Sequence, residues 1–213
     1  MENVYVFSGL GVDERVFGEI DFGTFKPVFI QWIKPENNES IEAYAQRLTN
    51  QINTKNPVLI GLSFGGMIAI EVARYVNTRK IILLASAKIY TEIPFYYRWA
   101  GYLAIHKLLP ITLLKQHTFI SDWLFGISDK QHKNMFANIL QDLDEDFLKW
   151  AINKILCWKN QTIHPNTIHI HGTADKILPA YFIKTDVVVQ GGGHFMTVNR
   201  AKEISIIFQN CMA

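Results

Sequence analysis

The sequence predicts an α/β protein in which a mostly parallel β-sheet carries helices on both faces. Short β-prone segments alternate with amphipathic helical segments through the first 87 residues, and this alternation returns near residue 167. The predicted strands are almost continuously apolar, which indicates burial on both faces, as in a parallel sheet. The stretch between the two regions has helical periodicity and no convincing strand, so it predicts a helical insertion.

Four strands and two helices account for the first region. The predicted strands span residues 4–7, 28–32, 57–61 and 80–85. The first helix follows Ser40, a residue type that favours N-caps, and the second spans residues 67–76. Apolar residues of the first helix recur at helical spacing: Ile41, Tyr44, Ala45, Leu48 and Ile52.

The remaining segments divide the chain into a core and an insertion. Helical patches cover residues 99–109, 135–140 and 146–156, and they are followed by strands at 167–171 and 185–189 and a helix at 198–208. We therefore expect residues 1–87 and 162–213 to form one α/β core, and residues 88–161 to form a helical insertion.

Composition excludes several classes of protein. Hydrophobic residues make up 49% of the chain and charged residues 19%, which excludes a disordered protein. The net charge is only +2 and no basic run is present, which argues against a nucleic-acid partner. The sequence has neither an apolar run of the roughly 20 residues that cross a bilayer nor a signal-peptide pattern. We expect a cytoplasmic protein without a membrane span.

One short motif is typical of a catalytic serine nucleophile. Gly61-Leu62-Ser63-Phe64-Gly65 fits the pattern G-x-S-x-G and lies between a predicted strand and a predicted helix. A serine on such a sharp turn exposes its hydroxyl, and glycines two positions away on each side avoid collisions across the turn. The Phe64 N–H and the positive end of the following helix would stabilise an oxyanion formed on an ester carbonyl.

Two other interpretations of this motif remain open. It can be a glycine-rich connection without chemistry, because glycine and serine are common residues. It can also bind phosphate, although a phosphate-binding loop of the G-x-x-x-x-G-K type needs a lysine near the helix start, and this sequence has none there.

An activated serine needs a base and an acid that orients the base. His194 follows three glycines between the last predicted strand and the last predicted helix, so its loop can reach the C-terminal edge of the sheet. Asp175 follows the penultimate strand and is the first candidate for the acid. Asp186 is the competing candidate, but it lies at the start of a strand, which is the wrong end of the sheet. His194 and Asp175 can instead be ordinary loop residues without a catalytic role.

The order, spacing and context of these residues resemble the α/β-hydrolase superfamily. The resemblance covers roughly residues 3–87 and 162–210, and it implies Ser63 as nucleophile, Asp175 as acid and His194 as base. The insertion occupies the position of the variable cap of that family. The first antiparallel hairpin of the family is expected to be absent, because the chain begins near the strand that is usually third.

The same resemblance implies a second oxyanion donor after the opening strand. Relatives often carry His-Gly there, whereas this chain has Ser8-Gly9-Leu10-Gly11. The family position implies the backbone N–H of Leu10, which does not depend on the missing histidine side chain. The alternative is a simple glycine turn.

Two further patterns point to chemistry only weakly. His169 and His171 share one strand face and, with Asp175, suggest a metal site, but no further ligand motif accompanies them, so we expect neither a metal nor a cofactor. Several aromatic residues of the insertion either line an acyl pocket or pack the insertion itself: Phe95, Tyr96, Tyr97, Trp99 and Tyr102.

Together these observations predict a serine hydrolase that cleaves a small, mainly apolar carboxylic ester or thioester through an acyl-enzyme intermediate. The alternatives are a lyase or a carbon–carbon bond hydrolase of the same fold, and a ligand-binding protein without catalytic activity. The substrate is in each case a small molecule.

Overall fold

The sheet of the protein is entirely parallel. A computed structural model describes residues 1–104 and 115–212. Its strands are β1 (Glu2–Phe7), β2 (Phe25–Phe29), β3 (Val58–Leu62), β4 (Lys80–Leu84), β5 (Thr167–Gly172) and β6 (Val187–Val189). They pair in the order β2-β1-β3-β4-β5-β6, and each of the five pairs is parallel. The predicted sheet is confirmed, and no antiparallel hairpin occurs in the described residues.

Helices cover both faces of this sheet. They are α1 (Ile41–Leu48), α2 (Phe64–Val72), α3 (Phe95–Tyr102), α4 (Phe119–Phe125), α5 (Lys130–Asp142), α6 (Glu145–Leu156), α7 (Met196–Asn199) and α8 (Ala201–Met212). Among residues 1–104 and 115–212, none of these helices has the length and apolar character needed to cross a membrane.

Two hydrophobic cores lie on opposite faces of the sheet. Since successive side chains of a strand point to opposite faces, β1 sends Val4 and Val6 into one core and Tyr5 and Phe7 into the other. Residues of α5 and α8 complete the first core, and residues of α1, α2 and α6 complete the second. This double burial explains why the strands lack a polar alternation.

Several element boundaries differ from the predictions. The strand predicted at 28–32 is wrong by three residues at each end, since β2 spans Phe25–Phe29. The chain leaves the sheet after Phe29, and the Gln31 N–H bonds instead to the Gln51 side chain (N···Oε1 2.9 Å). Helix α2 starts at Phe64 rather than at residue 67, since the turn leads directly into it. Of the helix predicted at 99–109, residues 105–109 lie outside the described residues.

Helices α3 to α6 occupy the stretch between β4 and β5. The first and last residues of this stretch lie next to each other. Asn160 donates from Nδ2 to the Lys88 carbonyl (2.8 Å), and the backbone carbonyl of Asn160 accepts the Tyr90 N–H (2.8 Å). Helices α3 and α6 touch at Gly101, where a Cβ atom would lie 2.7 Å from the Leu156 carbonyl oxygen. The division of the chain at residues 88 and 161 stays a prediction.

Candidate active site

Ser63 lies on the sharp turn between β3 and α2. Its backbone angles are φ 52° and ψ −122°, a conformation that non-glycine residues rarely adopt and that costs roughly 1–3 kcal/mol. Hydrogen bonds hold the turn on both sides: the Ser63 N–H donates to the Leu84 carbonyl (2.9 Å), and the Gly66 N–H donates to the Ser63 carbonyl (2.9 Å). The strain is therefore maintained by the neighbouring strand and the first turn of α2.

The two glycines of the motif are required because any side chain at these positions would collide with neighbouring backbone atoms. A Cβ atom on Gly61 would lie 2.3 Å from the Gly66 Cα, and one on Gly65 would lie 2.1 Å from the Ser8 carbonyl oxygen. The second contact brings the loop after β1 directly beside the turn that carries Ser63. Only glycine allows the two backbones to approach this closely.

Three predicted residues meet at the C-terminal edge of the sheet. His194, in the loop between β6 and α7, places Nε2 2.8 Å from the Ser63 Oγ. Its Nδ1 lies 2.8 Å from Oδ2 of Asp175, which is in the loop after β5. Asp175 and His194 are buried and Ser63 is half-buried. The structure thus brings Ser63, His194 and Asp175 into one hydrogen-bonded chain, and their catalytic roles stay predictions.

The carboxylate of Asp175 is bonded at both oxygens. Its Oδ1 accepts the N–H groups of Ile177 (2.9 Å) and Leu178 (2.8 Å). Burial by itself raises the pKa of Asp175, but the interaction with His194 and the hydrogen bonds from His194 and Leu178 outweigh it, so the pKa lies below its usual value. An ionised carboxylate only accepts hydrogen bonds. The proton therefore lies on Nδ1 of His194, and Nε2 is left to accept from the Ser63 hydroxyl.

The two predicted oxyanion donors are the backbone N–H groups of Phe64 and Leu10. Phe64 is the first residue of α2, where the N–H has no intrahelical partner. Leu10 is in the loop after β1, and a Cβ on its neighbour Gly9 would lie 3.5 Å from the Ser63 Cβ. Within the described parts of the chain, neither N–H donates to another protein group. Their joint use as oxyanion donors stays a prediction.

The other predicted candidates have different surroundings. Asp186 precedes β6 at the far end of the strand, where its Oδ2 accepts the N–H of His169 (2.8 Å). His171 bonds through Nε2 to the Leu178 carbonyl (2.8 Å). In residues 1–104 and 115–212, no three His, Cys, Asp or Glu side chains are grouped so that they could hold a metal.

A largely apolar cavity of about 250 Å³ lies beyond the loop after β1, between that loop and α5 and α6. Gly11, the residue after Leu10, lines one wall, and the side chains of Trp32, Leu143 and Phe147 line others. None of Ser63, Asp175 and His194 lines the cavity; the loop after β1 borders both, since Gly11 lines the cavity and a Cβ added to Gly9 would lie 3.5 Å from the Ser63 Cβ. None of the five insertion aromatics singled out in the sequence lines this cavity.

Sequence reasoning missed Ser86, whose hydroxyl donates to the Ser63 carbonyl (Oγ···O 2.6 Å). The signal was available: Ser86 follows β4, the strand that pairs with β3, and the C-terminal ends of parallel strands meet at one edge. It also missed the contact of His171 with the Asp175 loop.

The sequence matches no protein-family model and no curated protein. Its structure is similar to that of a lipase-esterase related protein from Clostridium acetobutylicum (TM-score 0.71, 18% identity, 98% of this chain and 93% of that chain). It is also similar to an esterase from Exiguobacterium antarcticum (0.68, 14%, 100% and 92%) and to a bromoperoxidase from Bacillus anthracis (0.68, 14%, 99% and 91%). At such low identity the likeness concerns architecture and does not assign a reaction. The chain has the α/β-hydrolase fold.

Proposed function

We propose that the protein is a serine hydrolase that cleaves a small, mainly apolar carboxylic ester or thioester. The observation that carries this proposal is the hydrogen-bonded chain from Ser63 through His194 to Asp175, with 2.8 Å at each link. A base within hydrogen-bond reach of a hydroxyl, itself oriented by a buried carboxylate, is the arrangement that activates serine as a nucleophile. The esterase neighbours support the same reaction class.

In the first half-reaction, Nε2 of His194 takes the Ser63 proton while Oγ attacks the acyl carbon. The N–H groups of Phe64 and Leu10 stabilise the negative oxygen of the tetrahedral intermediate, and loss of one such donor costs about 10²–10³ in rate. Collapse of this intermediate breaks the bond between the acyl carbon and the leaving oxygen or sulfur, and His194 gives its proton to the departing alcohol or thiol. Ionised Asp175 stabilises the imidazolium during this cycle.

In the second half-reaction, water attacks the acyl group held on Ser63. His194 takes a proton from this water, and collapse of the second tetrahedral intermediate breaks the acyl–Oγ bond. The acid is released and the proton returns to Ser63. No further reactant is required.

We also propose that the apolar part of the substrate lies in the cavity beside the loop after β1, although no residue of the proposed triad lines it. Ligand pockets run roughly 300–1,000 Å³, so a volume of about 250 Å³ favours a small alkyl or aryl group over a polymer. We further propose that the insertion over residues 88–161 acts as a cap on the site. Its helix α4 supports this role, because Phe125 packs against the His194 ring with centroids 5.8 Å apart.

The decisive experiment compares wild type with Ser63→Ala on an acyl-chain series of p-nitrophenyl esters and thioesters. We expect turnover and fluorophosphonate labelling in the wild type and neither in Ser63→Ala. Ser128→Ala is the matched control, because Ser128 is exposed and lies outside the site. Full turnover by Ser63→Ala would overturn the proposal.

Mass spectrometry after a rapid quench separates the alternatives. A hydrolase carries an acyl group on Ser63 during turnover, whereas a lyase forms product without one. Tight ligand binding that Ser63→Ala leaves unchanged, together with no labelling, would instead indicate a ligand-binding protein.

A further inference from the structure

A second histidine lies behind the acid of the proposed site. His171, near the C-terminal end of β5, is buried with a relative exposure of 1%. Its Nε2 lies 2.8 Å from the Leu178 carbonyl oxygen and 3.5 Å from Oδ2 of Asp175. Because a carbonyl only accepts hydrogen bonds, the proton of the neutral His171 ring is on Nε2. This N–H therefore donates to the Leu178 carbonyl, with the Asp175 carboxylate beside it.

Besides this direct approach, the backbone of Leu178 connects His171 to Asp175 through two hydrogen bonds. The Leu178 carbonyl accepts from His171, while the Leu178 N–H donates to Oδ1 of Asp175 (2.8 Å). The loop from Asp175 to Leu178 is thus anchored to β5 by His171. Its anchored N–H groups fix one carboxylate oxygen and leave the other, Oδ2, facing His194.

The neighbouring His169 is a second buried ring on the same face of β5. The two rings lie on one strand face, nearly perpendicular (89°) with centroids 5.3 Å apart. Among the ring nitrogens of His171 only Nδ1 has no hydrogen-bond partner in the described structure, whereas the His169 ring lies beside the backbone of Ser86. His171 is the member of the pair whose N–H has a defined acceptor.

We infer that His171 is a positioning residue, which holds the Asp175 loop so that Oδ2 accepts from Nδ1 of His194. The inference rests on the proposed function for its catalytic consequence. Its structural consequence is that the hydrogen bond between Asp175 and His194 depends on His171, and this bond can be measured without any substrate.

The test uses three variants of the full chain. His171→Phe keeps a ring and removes the N–H, and His171→Gln restores a donor near the position of Nε2. His169→Phe is the matched control, because it changes the adjacent buried ring and leaves Asp175 untouched. If His171→Phe does not fold, as judged by circular dichroism, His171→Asn replaces it, since its amide is too short to reach the Leu178 carbonyl.

The first readout is the low-field proton NMR signal of the His194 Nδ1–H, assigned by its disappearance in His194→Ala. We expect this signal to be lost or to exchange rapidly with water in His171→Phe, and to persist in His171→Gln and His169→Phe. A folded His171→Phe variant with an unchanged signal would overturn the inference.

The second readout is ester turnover. We expect kcat of His171→Phe to fall about 10- to 100-fold with KM unchanged, because displacing a catalytic group by about 1 Å can cost roughly a hundredfold in rate. His171→Gln should recover most of this loss, and His169→Phe should retain wild-type kcat. An equal loss in His169→Phe would show a purely structural effect and contradict the inference. Failure of the proposed function itself appears separately, as absent turnover in the wild type, while the NMR signal still tests the role of His171.

Discussion

The hydroxyl of Ser86 donates a 2.6 Å hydrogen bond to the carbonyl of Ser63, across two neighbouring strands of the sheet. The same carbonyl also accepts the Gly66 N–H (2.9 Å). Ser86 is fully buried, so water cannot replace its hydroxyl. The strained peptide of the proposed nucleophile is therefore fixed from β4 as well as from α2.

Substitution of Ser86 by alanine should loosen this turn. We expect Ser86→Ala to lower the free energy of unfolding by about 1 kcal/mol, the usual value of one hydrogen bond, and to lower kcat about tenfold by displacing Ser63. Urea denaturation and steady-state kinetics measure the two effects. Ser205→Ala is the control, because Ser205 is also buried and away from the site; its hydroxyl donates to the Ala201 carbonyl in α8 (2.7 Å) and accepts the Asp21 N–H (2.9 Å). It should lose stability and retain kcat; wild-type kcat in Ser86→Ala would contradict the prediction.

A single added methyl group should disrupt the turn. Gly65→Ala places a Cβ 2.1 Å from the Ser8 carbonyl oxygen, and backbone atoms cannot yield as a flexible side chain does. We expect a loss of more than about 3 kcal/mol in the free energy of unfolding, beyond the usual cost of overpacking. Gly18→Ala is the control, since Gly18 has helical angles (φ −59°, ψ −24°) and is exposed. A thermal melt of Gly65→Ala that matches Gly18→Ala would refute the steric argument.

The buried histidine His169 should make stability depend on pH. Burial lowers its pKa well below 6.5, so the folded protein holds the ring neutral. Above about pH 6.5 the unfolded chain is neutral as well, and the full stability is present. Below that pH the unfolded chain binds a proton that the folded state excludes, so the free energy of unfolding falls by about 1.4 kcal/mol per pH unit for this histidine.

Denaturation of His169→Phe between about pH 5 and 7 tests this expectation. The variant should lose that part of the slope, because phenylalanine binds no proton in either state. Identical slopes for variant and wild type would show that His169 is not the titrating group.

Filling the cavity beyond Leu10 should shorten the acyl chain that the protein accepts. Leu143 lines this cavity beside Gly11, whose Cβ position lies 3.5 Å from a methyl carbon of Leu143. We expect Leu143→Trp to lower kcat/KM for hexanoyl esters at least about tenfold relative to acetyl esters, since each methylene in such a pocket is worth about 1–3 kcal/mol. Leu143→Ile, of equal volume, should keep the wild-type profile. Equal losses for both esters in Leu143→Trp would exclude the cavity as the acyl site.

Local signals predicted much of the fold. Ser40 was expected to cap α1, and its Oγ accepts the Ala43 N–H (3.1 Å). Helix α4 was missed, because Phe119 and Ile120 are apolar yet exposed and so give no amphipathic pattern. Its capping box, formed by Thr118 and Ser121, was the available signal.

For the candidate site, the sequence identified those residues that lie directly after a predicted strand. Ser63, Asp175 and His194 could be named because each lies in a loop at the C-terminal end of a predicted strand. Ser86 could have been placed at the same edge, because it follows β4, whereas the pairing of its hydroxyl with the Ser63 carbonyl depends on the register between β3 and β4. The contact of His171 depends on a loop that folds back over β5. A single sequence specifies neither that register nor the path of that loop.

The proposed nucleophile and its base are separated by 131 positions. Ser63 leaves the ribosome well before His194, which follows the short edge strand β6. A nascent chain consequently lacks the proposed base for its nucleophile until β6 has been synthesised and has docked. The proposed activity would thus report formation of the described sheet.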